Sequence, residues 1–247
     1  MVSKTQQVKT VFEEPQWYLE RRRYNITIRA ETVQELLAGK TFDRIIDIAC
    51  GDASISLPLL TQENRLTLVD ISSAMLAHAR SRIPSALTAN VDILNQDFMS
   101  ANLRPQSYDL VMCLGLLAHV DNPAGIIAKI TSLVKPGGTI IMESTDAANI
   151  MNDVTVYYHK VTHFWKRETY DLNLITTEEV VRMFAQHRVK LAKIFRYSLP
   201  LFPGINRIAP QRLLYNMVRL AFGNTKRNRN AWLGKECIYI FEPEKKA

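Results

Sequence analysis

The sequence predicts an α/β fold: a doubly wound, mainly parallel sheet of seven strands, with a helical and irregular cap formed by insertions. Short apolar runs alternate with helical patterns, which is typical of parallel βαβ units with right-handed crossovers. The predicted strands are almost continuously apolar, as in a sheet that is covered on both faces. Hydrophobic residues make up 47% of the chain and charged residues 22%, which is enough for an ordinary core.

The predicted elements follow one another along the chain. A helix over residues 16–38 ends at Gly39, a common helix stop. Seven strands are predicted at residues 44–49, 65–69, 91–95, 108–114, 139–143, 189–197 and 237–241. Helices are predicted at residues 53–61, 72–82, 123–134 and 176–187, and residues 135–138 form a turn. Thr177 is predicted to cap the last helix, whereas Pro58 conflicts with the first because proline lacks an amide hydrogen.

Acidic residues lie near the ends of three successive strands. Asp47 precedes the first loop, Asp70 ends the second strand, and Asp97 ends the third. Ligands of doubly wound sheets bind beyond the carboxyl ends of the strands, so these acids are candidates for a ligand site. Asp70 follows Gly51 by 19 residues, a spacing that places its carboxylate to accept hydrogen bonds from ribose hydroxyls.

Five motifs carry a family resemblance. DIACGDA, LTLVDIS, NQDF, YDLVMCLGLLAHV and LVKPGGTIIME lie in this order within about residues 29–145. Together they resemble the class I S-adenosylmethionine-dependent methyltransferases, whose fold is Rossmann-like, and so imply S-adenosyl-L-methionine as cofactor. By this resemblance Gly51 lets the backbone approach the methionine part of the cofactor. Asp70 would bind the ribose, and Asp97 with Phe98 would hold the adenine.

The resemblance implies further cofactor contacts. Asp47 would orient the loop or reach the methionine amino group through water, and the backbone at Leu114 would face the methionine part. Ile71, next to the ribose-binding acid, belongs to the same predicted site. Ala49 and Ala53 replace glycines of the family pattern. We expect Ala49 to be accepted if its φ stays negative and Ala53 to lie in the following helix.

The N-terminal segment is a predicted cofactor lid. The resemblance suggests that Arg29 pairs with the cofactor carboxylate through a charge-assisted bond. Trp17 or Tyr18 would lie over the cofactor. The alternative is that Arg29 and the run of arginines at residues 21–23 form a solvated helix face.

His119 is the candidate catalytic base, because it follows the fourth strand and an imidazole can accept a proton near neutral pH. A capping or packing histidine is the alternative. Tyr157, Tyr158, His159 and His163 are the candidate acceptor-binding residues, since the segment after the fifth strand commonly builds that pocket in the family. The two histidines are four residues apart, yet no third ligand is evident, so no metal is predicted.

The net charge of +7 is concentrated in one segment. Seven basic residues and no acidic residue lie between residues 204 and 235, so the rest of the chain is about neutral and the segment favours an anionic surface or substrate. Its apolar residues are predicted to share one helical face: Leu213, Leu214, Met217, Val218 and Ala221. Four interpretations of this segment stay open from the sequence: a substrate cap, an interfacial helix on anionic lipid, a dimer contact, or a helix packed on its own domain.

The chain is predicted to divide into five parts. These are the lid at residues 1–43, the cofactor-binding core at 44–145, the acceptor-pocket segment and return to the sheet at 146–197, the basic amphipathic insertion at 198–235, and the last strand and tail at 236–247. Three cysteines without CxxC spacing argue against a zinc site or disulfides and fit a reducing cytoplasm. The N-terminus has no signal-peptide core, so we expect a cytoplasmic protein, with peripheral membrane contact left open.

The predicted function is methyl transfer from S-adenosylmethionine to O or N of a small molecule, which can be sugar-, carrier- or lipid-linked and anionic. The alternatives are an RNA ribose methyltransferase and a cofactor-binding protein without catalysis. Base methylation of nucleic acid is disfavoured, because the fourth strand leads into CLGLLAH rather than an Asn/Asp-Pro-Pro-aromatic loop.

Overall fold

The structure is a computed structural model and describes residues 10, 13, 19–20, 22–151, 173, 175–199 and 209–244. Its helices are α1 (Arg23–Leu37), α2 (Ser73–Arg82), α3 (Pro123–Leu133), α4 (Thr177–Ala185) and α5 (Gln211–Phe222). Its strands are β1 (Arg44–Ile48), β2 (Arg65–Asp70), β3 (Val91–Asn95), β4 (Tyr108–Leu114), β5 (Val134–Thr145), β6 (Val189–Tyr197), β7 (Gly223–Asn224), β8 (Arg227–Asn228) and β9 (Glu236–Pro243). Short 3₁₀ helices lie at Leu57–Leu59, Ser85–Asn90, Leu117–His119 and Ala231–Leu233.

The central sheet has seven strands in the order β3-β2-β1-β4-β5-β9-β6. The first five strands pair in parallel, which brings their carboxyl ends to one edge of the sheet. Only β9 runs in the opposite direction, between β5 and β6. The predicted fold class, a mainly parallel seven-stranded sheet, is confirmed.

Helices cover both faces of this sheet. On one face lie α1, α2 and α5, which bury Ile28, Leu76 and Leu214 among other residues. On the other face lie α3 and α4, which bury Ile130 and Phe184. Because each face is covered, the strands are apolar on both sides, as the sequence pattern predicted. No helix within the described residues combines the length and hydrophobicity needed to cross a bilayer.

Three local predictions are wrong. The stretch predicted as a helix at 53–61 holds only the 3₁₀ helix Leu57–Leu59, and Pro58 lies in its first turn, where a missing amide hydrogen is tolerated. The cap of α4 is Thr176, one residue before the predicted one. The predicted turn at 135–138 lies within β5, beside a register shift opposite β4.

The predicted single apolar face of α5 is also wrong. Leu214, Val218 and Phe222 are buried, whereas Leu213 and Met217 are exposed. Since successive helical residues are turned by about 100°, an apolar surface this wide cannot all face one neighbour. The buried side packs with α1 and the sheet, and the other side faces outward.

Candidate functional site

A cavity of about 240 Å³ lies at the carboxyl ends of β1, β2 and β4. The structure brings ten of the residues predicted from the sequence around it: Arg29, Asp47, Ala49, Gly51, Asp70, Ile71, Asp97, Phe98, Leu114 and His119. Their roles stay predictions, but their clustering follows from the parallel sheet, which places all these strand ends at one edge. Tyr18, Tyr157, Tyr158, His159 and His163 lie outside the described residues.

The loop after β1 has an unusual backbone. Ala49, Gly51 and Ala53 have φ values of 56°, 55° and 55°, all in the left-handed region. The expectations that Ala49 keeps a negative φ and that Ala53 is helical are therefore wrong. Left-handed alanine costs about 1–2 kcal/mol relative to ordinary backbone, so the surrounding contacts must hold the loop in place. Two of these contacts are backbone hydrogen bonds, from Cys50 to the Val69 carbonyl at 3.2 Å and from Ala53 to the Cys50 carbonyl at 2.9 Å.

Asp70 ties this loop to the end of β2. Its Oδ2 accepts a hydrogen bond from the Gly51 amide at 2.8 Å, and its Oδ1 accepts one from the Ser72 amide, also at 2.8 Å. Burial raises the pKa of Asp70, and these two amide donors oppose the rise. Each carboxylate oxygen has two lone pairs, so Asp70 can accept further hydrogen bonds from hydroxyl groups in the cavity.

Asp97 and Phe98 form the part of the cavity beyond β3. Asp97 Oδ1 accepts a hydrogen bond from the Met99 amide at 2.8 Å, which closes a tight turn. The Lys129 ammonium lies 5.0 Å from the centre of the Phe98 ring and donates to the Phe98 carbonyl at 2.6 Å. It also donates to the Ala101 carbonyl at 2.7 Å. Lys129 of α3 therefore fixes this turn, a role that sequence reasoning missed because nothing in the pattern of α3 distinguishes this lysine.

Among the acids that line the cavity, Asp47 is the most deeply buried, with 3% of its surface exposed. Burial raises its pKa to about 7. Burial likewise raises the pKa values of the Cys50 and Cys113 thiols, so neither cysteine is a ready thiolate nucleophile. The polar chemistry at this end of the cavity is therefore that of one buried carboxyl group.

The side chain of Arg29 extends from α1 to the sheet. Its guanidinium forms an ion pair with Glu143 at the end of β5, and Glu143 also accepts a hydrogen bond from the Tyr197 hydroxyl at 3.1 Å. Gly115, after β4, leaves room for this contact: a Cβ there would lie 2.8 Å from Arg29 Nη2. Sequence reasoning missed Glu143 and Gly115. Glu143 could have been predicted from the sequence, because it is another acid at the carboxyl end of a predicted strand.

His119 lies in the 3₁₀ turn Leu117–His119, whose last residue donates to the Leu116 carbonyl at 2.9 Å. Asn173, more than 50 residues further along the chain, holds this turn. The backbone amide of Asn173 donates to the Ala118 carbonyl at 2.9 Å, and its side-chain amide donates to the Val120 carbonyl. The turn beside the cavity is thus fixed by a residue from the predicted acceptor-pocket segment. Among the described residues, no group of three or more His, Cys, Asp or Glu side chains is placed to hold a metal ion.

Part of the chain is similar in sequence to known methyltransferases. Residues 45–138 match the family model described as a methyltransferase domain. The ubiquinone biosynthesis O-methyltransferase of Stutzerimonas stutzeri is 34% identical over 109 residues, which make up 44% of this chain and 45% of that protein. The match thus spans less than half the length of that relative.

Two solved structures resemble the chain over nearly its whole length. The magnesium protoporphyrin IX methyltransferase of Synechocystis, with bound S-adenosylhomocysteine, has a TM-score of 0.67 at 15% identity and covers 98% of this chain and 100% of its own. A Thermotoga maritima protein described as a possible histamine N-methyltransferase has a TM-score of 0.65 at 17% identity, with coverage of 96% and 99%. At such identities the likeness concerns the fold. The chain therefore has the mainly parallel, Rossmann-like fold of these structures, as the motifs predicted, and its residues 45–138 match the methyltransferase domain model.

Proposed function

We propose that the protein is an S-adenosylmethionine-dependent methyltransferase that acts on a small molecule. The observation that carries this proposal is the cavity at the carboxyl ends of β1, β2 and β4, where the Gly51 loop, Asp70 and Asp97 meet. The family match over residues 45–138 supports it. Because the Stutzerimonas relative is an O-methyltransferase, an oxygen atom is the favoured methyl acceptor, and a nitrogen acceptor is the second choice.

The residues around the cavity fit the cofactor. Asp70 retains acceptor capacity for the two ribose hydroxyls, and Asp97 with Phe98 offers an acceptor beside an apolar ring for the adenine. Arg29 lines the cavity, and its Nε is buried without a hydrogen-bond partner in the described part of the chain. That unpaired donor suits a carboxylate, such as that of the methionine part, because buried N–H groups need acceptors.

The protein's own contribution to the reaction is binding, orientation and proton acceptance. When bound, the cofactor supplies an activated methyl group on a sulfonium. The residues at the ends of β1 and β4, Gly51 and Leu114, line the part of the cavity that would position this group. His119 lines the same cavity and would accept the proton that the acceptor hydroxyl loses.

Calorimetry with S-adenosylhomocysteine tests the site. We expect Asp70→Ala to weaken binding at least about tenfold, because a charge-assisted hydrogen bond contributes roughly 1.5–3 kcal/mol. The matched control is Asp92→Ala, which removes an exposed aspartate from the neighbouring strand β3. Equal affinity of wild type and Asp70→Ala would overturn the assignment of the cavity. Tight binding without transfer of labelled methyl to any small molecule of a cell extract would instead favour a protein that binds the cofactor without catalysis.

A further inference from the structure

The helix α5 carries two apolar stripes, and only one of them is covered. The inward stripe, Leu214, Val218 and Phe222, is buried against α1 and the sheet. The outward stripe repeats at intervals of four and three residues on another side of the helix, and its residues are exposed: Leu213 at 50%, Met217 at 42% and Leu220 at 75%.

Trp232 extends this outward stripe. It is 69% exposed in the 3₁₀ turn Ala231–Leu233, two residues after Asn230. The Asn230 side chain donates to the Ala221 carbonyl at 2.8 Å, so the turn is attached to the last turn of α5. We call Leu213, Met217, Leu220 and Trp232 the outward patch. Of the six exposed large hydrophobic residues among those described, these are four, so the exposed apolar surface is concentrated here.

The outward patch is accompanied by positive charge. Arg219 of α5 is neutralised, because it pairs with Glu31 and Glu35 of α1. The other basic residues between 209 and 230 are exposed and have no ion pair within the described residues: Arg212, Lys226, Arg227 and Arg229. Residues 204–235 contain no acid, so the acids that face this segment, Glu31 and Glu35, come from α1, and both pair with Arg219.

The segment that carries the patch leaves and rejoins the sheet at the edge where the cavity lies. Glu236, at the start of β9, pairs with Thr145 at the end of β5 and with Tyr197 at the end of β6. The Asp146 amide donates to the Lys235 carbonyl at 2.7 Å, which fixes the returning chain at that edge. The two ends of this segment are therefore anchored at the carboxyl edge of the sheet, while within the segment Arg219 pairs with Glu31 and Glu35 along α1.

We propose that the outward patch docks the protein on an anionic phospholipid bilayer. Leucine, methionine and tryptophan side chains insert into the interfacial region, while arginine and lysine attract anionic headgroups. A second copy of the chain fits less well, because a symmetric contact would place each copy's uncompensated basic residues against those of the other. One consequence rests on the proposed function: docking would hold the protein beside a bilayer-dissolved acceptor.

Sedimentation of the full chain with vesicles tests the docking. We expect binding to phosphatidylcholine vesicles that contain phosphatidylglycerol, weak binding to phosphatidylcholine alone, and loss of binding at high salt. The pair Lys226→Glu and Arg227→Glu should weaken binding at least about tenfold, and so should the pair Leu220→Ser and Trp232→Ser. Arg65→Glu is the matched control and should bind like wild type, because Arg65 is exposed at the start of β2, at the opposite edge of the sheet.

Two further measurements keep the outcome unambiguous. Affinity for S-adenosylhomocysteine shows that each variant is folded, and it separates the two proposals. Intact cofactor binding without preference for anionic vesicles overturns the docking proposal and leaves the methyltransferase proposal standing. Light scattering measures the oligomeric state: a wild-type dimer that Leu220→Ser and Trp232→Ser dissociate, with no vesicle binding by either form, would assign the patch to self-association and overturn lipid docking. Binding to RNA but not to vesicles would overturn it as well.

Discussion

Asp47 couples the site to pH because its carboxyl group lies between core and cavity. Burial raises its pKa from the ordinary value of 3.8 to about 7. The native state therefore retains a proton that the unfolded chain has already released at pH 5 or 6. Stability from the neutral carboxyl group is fully present below pH 3.8 and is lost as the pH rises to about 7.

Asp47→Asn should remove this pH dependence, since an amide keeps the shape of a protonated carboxyl group and does not ionise. Between pH 5 and pH 8 we expect the free energy of unfolding of wild type to fall relative to that of the variant by about 2–3 kcal/mol, with most of the fall below pH 7, where the slope is at most about 1.4 kcal/mol per pH unit. Urea unfolding at both pH values measures it. Asp92→Asn, at an exposed aspartate, is the control. A constant difference between wild type and Asp47→Asn would contradict a raised pKa.

Single residues also mark the limit of sequence reasoning about the site. Asp70 and Asp97 could be placed because a parallel sheet gathers its carboxyl strand ends, and that rule needs no coordinates. The left-handed backbone of Ala49 could not be predicted, because alanine has no intrinsic preference for it and tertiary hydrogen bonds impose it. Lys129 was missed for a similar reason, since its three carbonyl partners lie 28 to 31 residues away in sequence.

At the scale of an element, the start of helix α4 is determined by two reciprocal hydrogen bonds between Thr176 and Glu179. Thr176 accepts a hydrogen bond from the Glu179 amide at 3.2 Å, and its own amide donates to Glu179 Oε2 at 2.8 Å. This reciprocal pair is a capping box. Thr177, the cap predicted from sequence, instead donates its hydroxyl hydrogen to Asp146 Oδ2 at 2.8 Å. The two adjacent threonines differ in the pattern, because only Thr176 is followed by a glutamate three residues later, and that signal could have identified the cap from sequence.

Thr176→Ala should lower the free energy of unfolding by about 1 kcal/mol, because the first turn of α4 loses its side-chain acceptor. Chemical denaturation followed by circular dichroism measures the change. Thr88→Ala is the matched control at an exposed threonine whose hydroxyl makes one weak contact, at 3.4 Å, and it should change stability by less than about 0.5 kcal/mol. Equal effects of the two substitutions would mean that the capping box contributes nothing specific.

For the whole molecule, the order of strands and helices was predictable and the extent of the core was not. All seven strands of the sheet could be located from short apolar runs that alternate with helical patterns. A strand that is buried on both faces is almost continuously apolar, so it is recognisable in the sequence. Of the insertion, the sequence predicted only that it is a basic amphipathic segment. Which apolar residues of α5 join the core depends on where α1 lies, and that is a contact between residues about 190 positions apart, such as Tyr215 with Glu31 at 2.7 Å.

Because of those contacts, we expect α5 to unfold together with the sheet, and this is the last prediction. Leu214 is fully buried in the core on one face of the sheet, and its neighbour Leu213 is half exposed on the same helix. We expect Leu214→Ala to lower the free energy of unfolding by about 2–5 kcal/mol through a cavity, and Leu213→Ala to change it by less than about 0.5 kcal/mol.

Urea unfolding followed by both tryptophan fluorescence and far-ultraviolet circular dichroism measures these changes. If α5 and the sheet form one unit, Leu214→Ala moves a single transition that both probes report together. An independently folding cap would behave differently: Leu214→Ala would advance a separate early transition and leave the main one in place. The first outcome would mean that the outward patch is carried on a rigid extension of the core, so a surface that docks through it holds the cavity edge in a fixed orientation.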